Sequence, residues 1–161
     1  MPDDPFLSGF YEYASGCEKL TLVVWAYEYS EKYVGLFGEY SDDSRVAAAR
    51  EASFAWAKGL IKMPEARRYI LAAHAAARES GSETGEAAGR AVAQAASTVH
   101  SARHAFGLVL YGLTALAKKY GKDSAEVMQE KDRLYRGLIK IAEEKRFKEE
   151  SWAPFLVRKP K

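Results

Sequence analysis

The stretch HAAARESGSETGEAAGRAVAQAASTVHSARHAFG, residues 74–107, decides how this chain folds and also holds its three histidines. It belongs to an alanine-rich region, because 20 of the 61 residues from 45 to 105 are alanine. Alanine has the highest helix propensity, and small side chains let two helix axes approach to the lower end of the usual range of about 8–10 Å. The segment SGSETG at 80–85 is the clearest loop in the chain. The sequence therefore predicts a closely packed helical hairpin that turns at this loop.

We place the two helices of this alanine-rich hairpin at 65–80 and 86–120, antiparallel to each other. Pro64 suits the first turn of the earlier helix. Gly107 and Gly112 are points where the later helix can bend, and the sequence leaves open whether residues 86–120 form one straight helix or two pieces. The alanines surround both helices, so their spacing does not say which faces meet.

The rest of the chain also has the three-and-four spacing of apolar residues that is typical of helices. Further helices are predicted at about 15–37, 44–61 and 123–150, and capping-box patterns begin at Ser15 and Asp123. No segment alternates with a period of two, so no sheet is expected. The prediction is an all-α, single-domain bundle of about five to six helices over residues 1–150, followed by an extended C-terminal tail at 151–161.

Composition indicates a globular protein of the cytoplasm. Apolar residues make up 48% and charged residues 29% of the 161-residue chain, which is ordinary for a folded domain. Cys17 is the only cysteine and cannot form an internal disulfide, which favours a reducing compartment. The first ten residues lack the pattern of a signal peptide, and the apolar stretch at 20–27 is too short to span a bilayer. We expect no membrane association.

Charge is distributed unevenly along the chain. Residues 1–44 contain nine acidic residues against Lys19 and Lys32, although the whole chain has a net charge of +2. This acidic half can dock on the basic half, or it can form a surface that steers a charged partner. The basic residues of the tail, Arg158, Lys159 and Lys161, are not interleaved with aromatic residues, so nucleic acid is not the favoured partner.

The histidines suggest a metal site, because His100 and His104 are four residues apart and so share one helical face. His74 would be the third ligand. If the hairpin turns near Ser82 and both helices are continuous, His74 lies about 12 Å and His100 about 27 Å from the turn at 1.5 Å per residue. Ligands must lie about 2.1 Å from one zinc ion. Under that geometry the three histidines cannot bind a single metal, and we expect no cofactor.

A smaller polar site remains an alternative. His100 would be level with residue 64, so Glu65 could join His100 and His104 in a metal or acid–base site. The preferred interpretation is that these histidines form hydrogen bonds across a packed helix interface. Glu28 is a separate candidate: it follows an apolar run, and a buried carboxylate there would require a partner such as Arg45 or Arg50.

Four segments resemble the immunity five-like family, a group of bacterial helical proteins from polymorphic toxin systems. They are VVWAYEYSEKYVGLF at 23–37, AAAREASFAWAKG at 47–59, AAHAAARES at 72–80 and AGRAVAQAASTVHSARHAFGLVLYG at 88–112. The positions that match the family pattern are Trp25, Glu28, Trp56, Gly59, His74, Arg78, Thr98, His100, His104 and Gly107. Glu28 stands where the family usually has Asp, and the segment before Lys19 has no counterpart, so the chain resembles a divergent member.

The resemblance implies an immunity protein that binds a cognate protein toxin and occludes its active site or substrate groove. The acidic, tyrosine-rich first forty residues would supply the contact surface, and we assign partner binding to Glu12, Tyr13, Glu31 and Tyr40. Two alternatives stay open. One is a self-associating helical protein, a homo-oligomer. The other is a metal-dependent helical-bundle enzyme that uses His100 and His104 with a carboxylate.

Overall fold

The computed structural model describes residues 4–157, and the regular structure of that range is entirely helical. The helices are α1 (Pro5–Ser15), α2 (Lys19–Gly38), α3 (Arg45–Ala57), α4 (Met63–Glu79), α5 (Glu83–Ser97), α6 (His104–Tyr120), α7 (Ala125–Glu144), a 3₁₀ helix (Arg146–Glu149) and α8 (Pro154–Val157). The all-α prediction is confirmed. The number of helices differs: the described range contains eight α-helices, where five to six were predicted.

Helix α5 occupies the centre of the bundle and packs against α2, α3, α4 and α6. Ten of its 15 residues are buried, and they are Thr84, Gly85, Ala87, Ala88, Gly89, Ala91, Val92, Ala93, Ala95 and Ala96. A helix with four neighbours leaves little surface for water, here the partly exposed stripe of Glu86, Arg90 and Gln94. It can accept this position only because its buried side chains are small.

The predicted α4–α5 hairpin is present and is closely packed. A Cβ atom added to Gly89 would lie 2.7 Å from the Cβ and 3.2 Å from the Cα of Ala77 on α4. The two helices are therefore in contact at the backbone. The turn between them uses Gly81 at a φ of 71°. Ser82 then caps α5, because its side-chain oxygen accepts a hydrogen bond from the backbone N–H of Gly85 at 3.1 Å.

The helical segment predicted at 86–120 consists of two pieces, one of the two arrangements that the sequence left open, because the chain reverses between α5 and α6. The start of α5 lies beside the end of α6, where Glu83 and Lys118 approach to 3.4 Å. The start of α6 lies beside the end of α5, where a Cβ on Gly107 would meet Gln94. Helices α5 and α6 thus form a second antiparallel hairpin. The predicted bending points, Gly107 and Gly112, both lie within α6.

Hydroxyl groups mark the point at which α5 ends. Ser97 donates its hydroxyl hydrogen to the Ala93 carbonyl at 2.9 Å, and Thr98 donates to the Gln94 carbonyl at 3.3 Å. Such bonds compete with the backbone ladder of a helix. The following backbone bonds are turn-like, with the His100 N–H donating to the Ser97 carbonyl at 3.0 Å. Neither proline nor glycine occurs between 97 and 103.

The predicted helix starts and the tail also need correction. Ser15 is the last residue of α1 instead of a cap, and the Ser124 side chain caps α7, one residue after the predicted Asp123. Residues 154–157 form a helical turn where an extended tail was predicted. The backbone N–H of Ala153 donates to the Ala57 carbonyl at 2.8 Å and fixes this end to α3. The predicted basic tail at 158–161 lies outside the described residues.

Helix α7 is attached to α2 through a buried carboxylate. Glu130 is 1% exposed and accepts hydrogen bonds from Tyr33, from Lys32 at 3.2 Å and from Arg133 at 2.5 and 3.0 Å. Burial opposes the charge on Glu130, but the hydrogen bonds from Arg133 and Tyr33 and the charges of Arg133 and Lys32 outweigh it and lower its pKa. Nearby, the Trp25 indole donates to the Leu134 carbonyl at 3.0 Å.

Among residues 4–157, none of the helices has the length and apolar character needed to cross a membrane.

The close α4–α5 contact predicts the effect of enlarging Gly89. Gly89→Ala should lower the free energy of unfolding by about 1–3 kcal/mol, because the added methyl group would overlap the Ala77 Cβ and neither helix can move away freely. Gly35→Ala is the matched control, since a Cβ at Gly35 meets nothing within 4 Å on α2. It should stabilise the protein by about 0.5–1 kcal/mol. Urea denaturation measures both changes, and equal effects would contradict the close contact.

The buried carboxylate predicts a loss of stability that depends on pH. Glu130→Gln should cost roughly 2 kcal/mol at pH 7, the usual size for hydrogen bonds to charged groups. Because folding lowers the pKa of Glu130, its stabilisation is complete well above the unfolded value of about 4.3 and is lost as the pH falls through the folded value. The difference between wild type and variant should therefore shrink from pH 7 to pH 3. Glu143→Gln, an exposed change on the same helix, should show no such trend in urea denaturation.

Candidate functional site

An open pocket of about 380 Å³ is lined by all three histidines, and we call it the histidine pocket. Its walls come from α3, α4, the end of α5, the α5–α6 turn and the start of α6. The lining residues are Trp56, Met63, Arg67, Ile70, Leu71, His74, Ser97, His100 and His104. This corrects the interpretation of the histidines as members of a packed helix interface at separate levels. The reversal after Ser97 brings them to one cavity.

The second hairpin explains why the axial argument from the sequence failed. Gly89 of α5 lies against Ala77 of α4, so in this antiparallel hairpin His74 lies near the level of residue 92 of α5. His104 contacts Gln94, only two residues further along α5. Two residues correspond to about 3 Å along a helix. The axial distance calculated from the sequence assumed a continuous helix, and it does not hold where the chain turns between α5 and α6.

His104, the first residue of α6, is held by Gln94. Its Nδ1 atom lies 2.8 Å from the amide oxygen of Gln94. An amide oxygen only accepts hydrogen bonds, so Nδ1 carries the hydrogen and Nε2 of the neutral ring is an acceptor. Gly107 makes room for this contact, because a Cβ there would lie 2.5 Å from the same oxygen. Gln94 and Gly107 together therefore set the orientation and the tautomer of His104.

His100 forms the exposed side of the pocket. Its ring stacks on that of Trp56 with centroids 6.5 Å apart and planes inclined by 25°. The Trp56 ring is buried and also contacts Phe155 of α8 at 6.0 Å. Lys19 donates to the His100 carbonyl at 3.1 Å and so links the α5–α6 turn to α2. The turn is held in place from two sides.

His74 is half-buried, and its Nδ1 atom has no hydrogen-bond partner among the described residues although that atom is buried. Burial lowers the pKa of His74, and the charges of Arg90, Arg78 and His104 lower it further. The pKa of His104 is also lowered, by burial first and then by His100 and Arg103. Both rings are therefore mainly neutral at pH 7. The environment of the pocket thus disfavours positive charge on both rings.

Metal coordination receives no support from the described residues, which contain no group of three His, Cys, Asp or Glu side chains able to hold an ion. The predicted site of Glu65, His100 and His104 is not assembled. Glu65 lines a different pocket with Arg45 and Arg68. It was placed beside His100 on the assumption of a continuous helix, and His100 lies in the turn instead.

Several of the family-pattern positions hold the fold. Trp25 and Thr98 are fully buried, and their polar atoms bond to backbone carbonyls of Leu134 and Gln94. Gly59 has a φ of 82°, and a Cβ added to it would lie 3.6 Å from Ala153, at the contact between the end of α3 and the tail. Arg78 is exposed near His74. Four of the remaining pattern positions, Trp56, His74, His100 and His104, meet at the histidine pocket.

Glu28 is exposed, which corrects the expectation of a buried, paired carboxylate. It lines a pocket with Lys140 and Glu150. The partners proposed for it bind elsewhere. Arg50 donates to the Tyr27 carbonyl at 2.9 Å, and Arg45 pairs with Asp43 at 2.6 Å. Desolvation in the pocket raises the pKa of Glu28, while Lys140 acts in the opposite direction.

The four residues predicted to bind a partner do not form one compact patch. Glu12 and Tyr13 line a pocket together with Thr21, near the start of α2. Tyr40 follows the end of α2 and lies 3.0 Å from where a Cβ of Gly85 would be. About 19 residues of helix separate Thr21 from Tyr40, or about 28 Å. Glu31 is exposed between these two ends.

The sequence reasoning missed an exposed apolar rim around the histidine pocket. Met63 and Leu71 line the pocket and are 42% and 55% exposed. Leu60, just before α4, is 77% exposed, and Phe155 beside Trp56 is 44% exposed. No sequence signal marks this rim, because adjacent apolar residues such as Ile70 and Leu71 can both be buried, as Leu108 and Val109 are. Grouped apolar residues on a surface are typical of interaction sites.

Fold and pocket define an all-α bundle whose central helix is enclosed by its neighbours and whose histidines line one open pocket. The chain matches the model of the family described as "Imm-5 like putative immunity protein" over residues 14–139. This match spans more than half of the 161 residues, so the protein belongs to that family. The predicted family resemblance is confirmed. Neither a curated protein nor a solved structure matches the chain.

Gly107→Ala tests the arrangement of His104. The new methyl group would displace the flexible end of Gln94, so His104 should lose its hydrogen bond and its fixed tautomer, while the free energy of unfolding changes by less than about 1 kcal/mol. Long-range ¹H–¹⁵N NMR spectra of the imidazole rings report the tautomer. Gly16→Ala is the control, because its nearest contact is at an ordinary 3.6 Å. An unchanged His104 signal in Gly107→Ala would contradict the role given to Gln94.

Proposed function

We propose that this protein is an immunity protein that binds a cognate toxin in the bacterial cytoplasm and neutralises it by covering its active site or substrate groove. Membership of the immunity-protein family supports a toxin as the partner in general terms. The observation that carries the proposal is geometric. Four positions of the family pattern, Trp56, His74, His100 and His104, surround an open pocket whose rim is apolar and exposed.

The face around the histidine pocket has the composition of a binding surface. Interfaces are anchored by a few aromatic, Met and Arg side chains at their centre, and this face presents Met63, Arg67, Leu71 and Phe155. The surface is also held rigidly. The α5–α6 turn is tied to α2 by Lys19, and His100 stacks on Trp56. A preformed surface loses little conformational entropy on binding.

In this proposal the acidic N-terminal residues have a separate role, the electrostatic attraction of the toxin before contact. Glu12, Tyr13, Glu31 and Tyr40 are spread along α1 and α2, which supports long-range attraction better than one direct contact. Steering by charge acts over distance and raises the association rate more than the lifetime of the complex. Glu12→Lys with Glu31→Lys should therefore slow association at low salt and leave dissociation unchanged.

A pair of variants tests the proposed face. Leu71→Glu should weaken toxin binding by about 30-fold or more, the size expected for an interface hot spot. Met128→Glu makes the same kind of change at an exposed position of α7 and should leave affinity unchanged. The measurement is calorimetry with an inactivated toxin domain encoded by the neighbouring reading frame, together with protection of growth when both genes are expressed. If both variants bind the toxin equally well, the toxin contacts another face of the protein.

The same apolar face could instead pair two copies of this chain, because an exposed apolar patch also favours self-association. Light scattering coupled to size-exclusion chromatography separates the two functions. A monomer that binds toxin supports the immunity role. A stable dimer that Leu71→Glu dissociates, with no effect of the protein on the toxin, would replace it.

A further inference from the structure

The side chains that line the histidine pocket include basic groups and no acidic ones. Among its nine lining residues, Arg67 and the three histidines carry basic groups, and none is Asp or Glu. More basic groups surround it on several elements: Lys19 bonds to the His100 carbonyl, Arg78 and Arg90 act on His74, and Arg103 acts on His104. Of these groups, Arg90 is paired with Glu86 at 2.9 Å. Because His74 and His104 are mainly neutral at pH 7, the Arg67 guanidinium is the permanent positive charge among the lining residues.

The same pocket has apolar surface beside its basic groups. Trp56 and Ile70 are buried in its wall, and Met63 and Leu71 extend from the rim. A volume of about 380 Å³ lies near the lower end of the range of about 300–1,000 Å³ for ligand pockets. One or two side chains of a partner fit such a space. The pocket is thus complementary to a group with an anionic end and an apolar body or apolar surroundings.

We propose that the histidine pocket receives an Asp or Glu side chain that projects from an apolar part of the toxin surface; this inference rests on the proposed function. The carboxylate would face the Arg67 guanidinium and the imidazoles. Hydrogen bonds between a guanidinium and a carboxylate are charge-assisted and are stronger than neutral ones.

The proposal predicts that binding takes up protons. In the free protein, burial and nearby positive charges lower the pKa of His74 and His104. A carboxylate in the pocket favours the charged imidazole and raises these pKa values. The resulting gain in affinity is complete below the free pKa and is lost as the pH rises through the bound value. The carboxylate stays ionised throughout pH 6–8, so affinity should rise from pH 8 to pH 6, toward a limit of about tenfold, reached below the free pKa, for each ring whose pKa rises by one unit.

A matched pair of small molecules tests the pocket on the intact protein. The probe is 3-phenylpropionate, which has a carboxylate and an apolar body, and its control is the neutral 3-phenylpropionamide. At millimolar concentration the carboxylate should shift the imidazole NMR signals of His74 and His104 and raise both pKa values, and the amide should do neither. Arg67→Gln should remove the response, whereas Arg68→Gln, which lines another pocket, should keep it. Equal effects of the acid and the amide, or none, would overturn the carboxylate site.

Calorimetry with the inactivated toxin at pH 6, 7 and 8 then separates this inference from the proposed function. Binding that strengthens toward pH 6 in wild type and Arg68→Gln, but not in Arg67→Gln, supports both. A toxin that is neutralised with the same affinity at every pH and by Arg67→Gln retains the immunity function and overturns the carboxylate contact. Absence of any toxin binding, with a normal response to 3-phenylpropionate, retains the anion site and overturns the immunity function.

Discussion

Helix α5 packs against four other helices, and the bundle is arranged around that steric condition. Four helices can pack on one only if its side chains hardly extend beyond the backbone, and eight of the ten buried residues of α5 are alanine or glycine. Burial of an alanine methyl group contributes little by itself, about 0.8 kcal/mol per buried carbon. The larger apolar residues of the neighbours, such as Trp25, Phe37 and Leu108, supply most of the buried area. The contribution of α5 is to let these neighbours approach one another.

The histidine pocket follows from the place where this central helix ends. Beyond Ser97, α5 no longer fills the space between α3 and α4, and the chain must reverse to bring α6 back along it. The turn carries His100 across Trp56, and the first residue of α6 is His104, fixed by Gln94. Basic and aromatic side chains therefore lie together at this end of the bundle. Helix α5 with its small side chains ends there, and larger side chains occupy the remaining space.

The sequence predicted the elements that depend on local signals. Alanine content, Pro64 and the loop at 80–85 were enough for the all-α class and for the α4–α5 hairpin. It did not predict the reversal after Ser97, since the usual markers of a turn, glycine and proline, are absent from 97–103 and only hydroxyl groups signal it. Because the reversal was not predicted, the histidine pocket was not predicted either. The histidines were assigned to separate levels of a rod, and Glu65 was placed beside His100 by the same arithmetic.

A rigid core also determines what the pocket can discriminate. Gly89 and Ala77 are in contact at the backbone, so α4 and α5 cannot shift to close the cavity or to give His74 another partner. An occupant must therefore match a fixed arrangement of the Arg67 guanidinium, the imidazoles and apolar walls, and one that covers these polar groups without an acceptor leaves them unpaired at a cost of about 1–3 kcal/mol each. Discrimination of this kind rests on the penalty for wrong partners as much as on attraction to the right one. In this family member, the steric demand that orders the helices and the selectivity of the pocket thus have the same origin, the small side chains of α5.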